Sequence, residues 1–176
     1  GTRRVLDFSV KCGVKRFLHL SSGSAFGLQP SEMTHIPEEY PGAPLTTDRN
    51  FNHSALGEGK RAAELFTTIY GKKYGIENII ARCFSFIGPG LPLDIHYAIG
   101  NFIRDGLMGG PIRVKSDGSP QRSYMYIADL VRWIWTILCL GESGHMYNVG
   151  SDQAISMIDL ASLVASCFEP QPRVDI

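Results

Sequence analysis

The sequence predicts an α/β protein, because one pattern occurs three times. A helical run of apolar residues over 3–12 precedes a short apolar strand over 16–20, a run over 55–74 precedes another over 78–84, and a run over 127–140 precedes a strand over 146–149. Helices alternating with short buried strands pack as layers, with the helices against a sheet.

Each element follows from its own residues. In RRVLDFSVKC, Val5, Leu6, Phe8 and Val10 stand among charges at amphipathic helical spacing, and Gly13 is the stop. The run Arg16-Phe17-Leu18-His19-Leu20 opens into the small-residue loop from Ser21 to Gly27, as a buried strand does at its end. Residues 28–53 hold Pro30, Pro37, Pro41, Gly42 and Pro44 among polar side chains, which predicts an irregular surface excursion, and a long loop is a functional hint. From Ala55 to Tyr74 the residues Ala62, Ala63, Leu65, Phe66, Ile69 and Tyr70 keep helical spacing until Gly75. A strand follows over 78–84, ending at Gly88-Pro89-Gly90. A helix is expected over 97–108 and a short strand over 112–114, before the turn Asp117-Gly118-Ser119-Pro120. The helix over 127–140 carries Asp129 in its first turn, where a carboxylate favours the dipole and caps the helix. Last, Ser156 and Asp159 form a capping box before Leu160, Leu163, Val164 and Phe168.

Composition narrows the function. The 176 residues carry 17 basic and 17 acidic side chains, so no global field recruits nucleic acid or an anionic membrane. Cys12, Cys83, Cys139 and Cys167 lack zinc-site or CxxC spacing, so no metal site is expected and the four read as buried reduced thiols. The opening GTRRVLDFSV has no signal-peptide pattern and no apolar run is long enough for a membrane span, which makes the cytoplasm the expected compartment. No GxGxxG or GxxGxxG follows an N-terminal strand.

Five segments, in order, resemble the extended short-chain dehydrogenase/reductase family, the NAD-dependent nucleotide-sugar epimerases and dehydratases. GVKRFLHLSSGSAFG resembles the family's strand and active-site serine loop, and GKRAAEL its catalytic-lysine helix. ARCFSFIGPG resembles the next strand and turn, DGSPQRSYMYIADL the arginine and aspartate segment, and YNVGS the short motif that follows. The wording of RCFSFIGPGLPLDIHYAIGNFI most resembles the deoxysugar reductase and epimerase branch, such as CDP-abequose synthase. The resemblance implies the C-terminal half of a Rossmann-like parallel sheet plus the small substrate-binding region, interleaved without a clean boundary. Residues 1–90 would supply a partial Rossmann-like domain and 91–176 mainly the sugar-nucleotide region. Family members begin with a strand and a Gly-rich loop that this chain does not contain, so a fragment or truncated product is expected.

The resemblance also implies roles. Counting five back from Gly27 gives Ser22 as the serine that polarises a sugar hydroxyl or carbonyl; a strand-end serine that merely satisfies backbone groups is the simpler reading. In Tyr-x-x-x-Lys the two side chains share one helix face, the phenol moves the hydroxyl proton, and the ammonium favours phenolate. Lys60 matches the lysine, which also binds the nicotinamide ribose, but Leu56 stands at the tyrosine position. Three explanations stand open: lost or altered activity, a Tyr-to-Leu replacement, or an acid–base group elsewhere, with His53, Tyr40 or Ser24 as candidates. His53 also reads simply as a loop imidazole. Gly23 and Ser24 occupy the positions where the 4,6-dehydratase branch carries Asp and Glu, which favours keto-reduction or epimerisation over dehydration. Ser85 and Ile87 replace the usual Asn and Tyr of the next turn, and Ser85 is a cofactor and substrate contact by position. Arg122 matches the arginine that clamps the nucleotide diphosphate, with an ion pair to Asp117 or Asp129 as its simpler reading. His96 and Tyr97 fall near the diphosphate and Asn101 near the nucleotide.

The expected function is therefore part of an NAD- or NADP-dependent nucleotide-sugar epimerase or reductase, impaired by Leu56 and by the missing dinucleotide fingerprint. The alternative is a non-catalytic protein of the same descent that binds a nucleotide-diphosphate sugar or serves in an assembly. A homodimer through the Lys60 helix is expected by resemblance, although Phe66, Ile69 and Tyr70 would equally suit burial against the sheet.

Overall fold

The computed structural model describes residues 1–47, 51–95 and 97–176, with residues 51–53 described by backbone only. These residues form two compact units, one of 1–84 and 129–150, the other of 85–128 and 151–176.

The first unit holds α1 (Thr2–Lys11), β1 (Arg16–Ser22), a 3-10 turn (Gly23–Phe26), α2 (Phe51–Tyr74), β2 (Glu77–Cys83), most of α4 (Ile127–Leu140) and β6 (Met146–Val149). Its sheet has the order β1-β2-β6 and is parallel throughout, with Ser21 opposite Arg82 and Ser22 opposite Cys83. Central β2 is buried from Asn78 to Cys83, as an apolar strand covered on both faces should be. Leu6, Phe26, Ile79 and Val149 are among its most buried side chains. Gly75 ends α2 at φ 71°, in the left-handed region where a Cβ is unfavourable. Arg16 holds the end of α4 by donating to the carbonyls of Cys139 (2.8 Å) and Gly141, orphan acceptors of a helix terminus.

The second unit holds β3 (Ser85–Ile87), α3 (Ala98–Leu107), β4 (Ile112–Arg113), β5 (Gln121–Tyr126), β7 (Ala154–Ser156), α5 (Met157–Ala165) and β8 (Val174–Asp175). Strand β5 pairs in parallel with β3 and antiparallel with β7, and β4 pairs with β8. Ile99, Phe102, Ile112, Leu160 and Val164 form its core. The Ser156 capping box is present: its Oγ accepts from the Asp159 N–H (3.1 Å) and donates to the Asp159 carboxylate (2.5 Å).

The structure departs from the sequence expectation in several places. Strand β1 runs on through Ser21 and Ser22, because parallel pairing to β2 continues to Cys83. Helix α2 begins at Phe51 rather than Ala55. Strands β3, β5, β7 and β8 were not predicted, being two to six residues long and, in QRSYMY, mostly polar. Of the four cysteines only Cys83 is buried; Cys12 caps α1, and Cys12, Cys139 and Cys167 are exposed.

Candidate active site at the end of the first strand

In the first unit, Ser22 is both the last residue of β1 and the N-cap of the 3-10 turn. Its Oγ accepts from the Ser24 N–H (3.2 Å) and donates to the Ser24 Oγ (3.1 Å), so two hydroxyls stand side by side. The capping role read from the sequence is thus real, and it holds the hydroxyl in place.

Helix α2 lies against this turn through glycine. A Cβ on Gly57 would stand 2.5 Å from the Ser24 carbonyl oxygen, closer than side chains pack, so the helix approaches this near only without one. One turn along, Lys60 Nζ donates to the Leu20 carbonyl oxygen at 2.8 Å. Lys60 therefore stands two residues from Ser22 along the strand it holds, with its remaining N–H donors available. Leu56, four residues before Lys60 on the same helix face, is 50% exposed and brings no proton donor or acceptor.

A buried ionic cluster lies directly beneath. Glu64 accepts from Arg82 Nε (2.8 Å) and from a terminal guanidinium nitrogen (2.7 Å), and its Oε1 also accepts from Ser21 Oγ (2.5 Å). The two side chains are only 10% and 7% exposed. Burial by itself would raise the Glu64 carboxyl, but the hydrogen bonds from Arg82 and Ser21 and the Arg82 charge hold it below its ordinary value. His19, two residues before Ser21, has a buried Nε2 with no hydrogen-bond partner among the described residues. Burial, then the Lys60 charge, pushes its pKa down, against the opposing pull of Glu64.

The 28–47 excursion is tied down rather than loose. Ser54 Oγ donates to the Leu45 carbonyl (3.0 Å) and Arg61 to the Gly42 carbonyl (3.1 Å). At its other side the Asn148 N–H donates to Glu38 (2.7 Å) and the Asn148 amide to the Ile36 carbonyl (2.8 Å). Tyr40 packs its ring near Phe26, 6.2 Å between centroids.

The second unit carries the remaining predicted residues. Ser85 opens β3 opposite Tyr124 and is half-buried. The Asn101 amide donates to the carbonyls of Leu93 (2.9 Å) and Ile95 (2.7 Å), which spends its donors on holding the 91–95 segment. Tyr97 is the exposed N-cap residue of α3. Arg122 is exposed on β5 and donates to the Gln121 carbonyl (2.7 Å); among the described residues it forms no ion pair with Asp117 or Asp129, and Asp117 instead accepts from Ser119. His96 and the His53 side chain lie outside the described residues.

Sequence reasoning did not find Glu64 and Arg82 as neighbours of Ser21, or Asn148 as an anchor of the 28–47 excursion. A signal existed for the first two: an arginine within the apolar strand NIIARCF needs a buried anion, and Glu64 is the acid one turn beyond Lys60.

A model of the NAD-dependent epimerase/dehydratase family matches residues 1–150. The chain belongs to that family. It is 30% identical over 179 residues to UDP-glucuronic acid decarboxylase 4 of Arabidopsis thaliana, an alignment covering 99% of this chain and 38% of the decarboxylase. Its fold is similar to UDP-glucose 4-epimerase of Thermotoga maritima, with TM-score 0.84, 21% identity, and coverage of 99% of this chain and 54% of the epimerase. It is likewise similar to UDP-glucuronic acid 4-epimerase of Bacillus cereus, solved with UDP-glucuronic acid and NAD, with TM-score 0.83, 23% identity, and coverage of 99% and 52%. The chain thus spans roughly a third to a half of the length of these relatives. The family is NAD-dependent, and the donors present fit one end of that cofactor. A lysine ammonium already fixed to a strand carbonyl suits ribose hydroxyls, whereas these 176 residues contain no Gly-rich fingerprint for the pyrophosphate. Among the described residues no helix is long and apolar enough to cross a membrane.

Proposed function

We propose that this chain supplies the serine, lysine and sugar-nucleotide portions of an NAD(P)-dependent nucleotide-sugar epimerase or reductase, and that it turns over poorly because Leu56 replaces the proton-transferring phenol. The observation that carries this reading is Lys60 held on the Leu20 carbonyl beside the paired hydroxyls of Ser22 and Ser24, with Leu56 one turn away. When bound, NAD supplies a hydride acceptor and donor. Ser22 turns its hydroxyl proton from the Ser24 Oγ to a sugar hydroxyl or carbonyl oxygen, and Lys60 binds the nicotinamide ribose while its charge favours an adjacent oxyanion. Among the described side chains none on this face of α2 takes the hydroxyl proton, and such assistance is typically worth about 10²–10⁴ in rate. Gly23 and Ser24 bring neither the acid nor the base of a 4,6-dehydratase, which supports epimerisation or reduction.

Ser85, His96, Tyr97, Asn101 and Arg122 are proposed to contact the nucleotide-diphosphate sugar, with Arg122 as the diphosphate clamp. Its exposure, and the donors it has beyond the one given to Gln121 among the described residues, support that role. Ser85 is also proposed to lie near the nicotinamide. A homodimer through α2 is proposed because Leu65, Phe66 and Ile69 are exposed rather than packed on the sheet.

The second reading, a non-catalytic nucleotide-sugar-binding or assembly protein, is favoured by Leu56 itself. Calorimetric titration with NAD tests the first part: no saturable heat is expected from this chain, and micromolar binding would overturn the account of an incomplete cofactor site. Turnover of nucleotide sugars is then compared for Leu56 and Leu56→Tyr in a chain extended by the Gly-rich N-terminal half of the fold. Activity gained with the tyrosine supports the enzyme reading, and none supports the non-catalytic one.

A further inference from the structure

We infer that Glu64 and Arg82 are positioning residues for the Ser22–Lys60 site: their buried ion pair sets where α2 stands against the end of β1, and so where the Lys60 ammonium meets the strand. The inference rests on the reading of Ser22 and Lys60 as site residues given above.

Four elements meet at this one pair: α2, β1, β2 and the 3-10 turn. Glu64 lies one turn beyond Lys60 on α2, and its carboxylate takes both nitrogens of the Arg82 fork. The same carboxylate takes the hydroxyl of Ser21, the residue between the carbonyl that receives Lys60 and the hydroxyl of Ser22. Arg82, opposite Ser21 in the parallel register, also lays its guanidinium carbon 4.2 Å from the ring centroid of Phe26, which is fully buried in the 3-10 turn. A single cation therefore touches the helix that carries the lysine and the turn capped by the serine, and it shares its anion with the strand between them.

Apart from Lys60 itself, the other directional contacts that α2 makes reach the 42–45 segment, through Ser54 and Arg61, and α1, through Tyr70. Against the sheet and the serine turn it packs Gly57, Ala63, Thr67 and Gly71, and such small contacts fix a register poorly. A bidentate guanidinium–carboxylate fork is directional in both distance and plane. A buried ion pair offers little net stability over an apolar pair, so its clearest use here is geometric. Lys60 and Glu64 lie on one rigid helix, so a shift of the fork carries the 2.8 Å Lys60 contact with it.

Reductive methylation of Lys60, followed by peptide mass, tests this on the chain as it stands, with the exposed Lys11, Lys72, Lys73 and Lys115 as internal references. Arg82→Lys keeps every charge and removes only the fork. Loss of the charged hydrogen bond to Leu20 is expected to raise Lys60 labelling about tenfold relative to the references, with the fold retained. Ile79→Val, a packing loss at a fully buried site in β2, is expected to leave the ratio unchanged. Glu64→Gln with Arg82→Gln removes both charges together and keeps the test decisive if the single variant unfolds; it too is expected to raise the ratio. An unchanged ratio in the folded variants, or an equal rise in Ile79→Val, overturns the inference. Labelling needs neither NAD nor sugar, so that failure is distinct from a failure of Leu56→Tyr to gain turnover.

Discussion

Leu56 and Lys60 share one face of α2, and what a phenol at position 56 would experience can be measured without cofactor. In Leu56→Tyr the introduced phenol is expected to titrate below the ordinary value of about 10, because the Lys60 ammonium favours phenolate. Ultraviolet titration checks this, and Lys60→Met should return the midpoint toward the ordinary value; no difference between the two would remove the lysine from its assigned role. His19 offers a second residue-scale outcome. Its folded pKa lies below the ordinary 6.5, through burial first and Lys60 second, with Glu64 opposing. Well above pH 6.5 the ring is neutral in both states and adds no pH dependence. As pH falls below 6.5 the unfolded chain takes the proton first, so stability declines until the folded pKa is passed. Urea unfolding at pH 7.5 and at pH 5.5 should show this loss, and His19→Gln should reduce it.

At the scale of elements, the close approach of α2 to the serine turn depends on Gly57. In an exposed helix, alanine in place of glycine would gain about 1 kcal/mol. Here the new Cβ meets the Ser24 carbonyl at 2.5 Å, and overpacking of this kind costs about 1–3 kcal/mol. Gly57→Ala is therefore expected to be neutral to destabilising instead of stabilising, and to move the serine turn. Denaturant midpoints read the first effect, and amide shifts of Ser22 to Ala25 read the second. A clear stabilisation with unmoved shifts would show that the contact yields at no cost. The excursion over 28–47 belongs to this scale as well, since Glu38 and Asn148 fasten it to the end of β6.

Across the whole molecule, the apolar residues left uncovered on α2 argue for association. Leu65, Phe66 and Ile69 are 61%, 42% and 46% exposed. Light scattering after size exclusion should give a mass that rises with concentration, and Leu65→Glu together with Ile69→Glu should hold the chain at 19.4 kDa. A monomer at all concentrations would leave these residues to some other covering.

Much of this was legible in the sequence. Helical spacing stopped by glycine marked α1 and α2, and apolar runs marked β1 and β2, because long periodic segments and fully buried strands carry their environment in their composition. The serine turn and the lysine helix were legible as local motifs, and the Ser156 cap as a box within four residues. Strands such as β5 were not, since a short polar segment becomes a strand only when β3 and β7 offer it partners. The sequence by itself determined which groups exist: a serine at the end of a strand, a lysine on a helix, and a leucine one helical turn before that lysine. Only the tertiary structure decided that Lys60 rests on the Leu20 carbonyl and that Glu64, Arg82 and Ser21 join beneath it. Those pairings link residues 18 to 43 positions apart, and such distances close only when the sheet and its helix have packed.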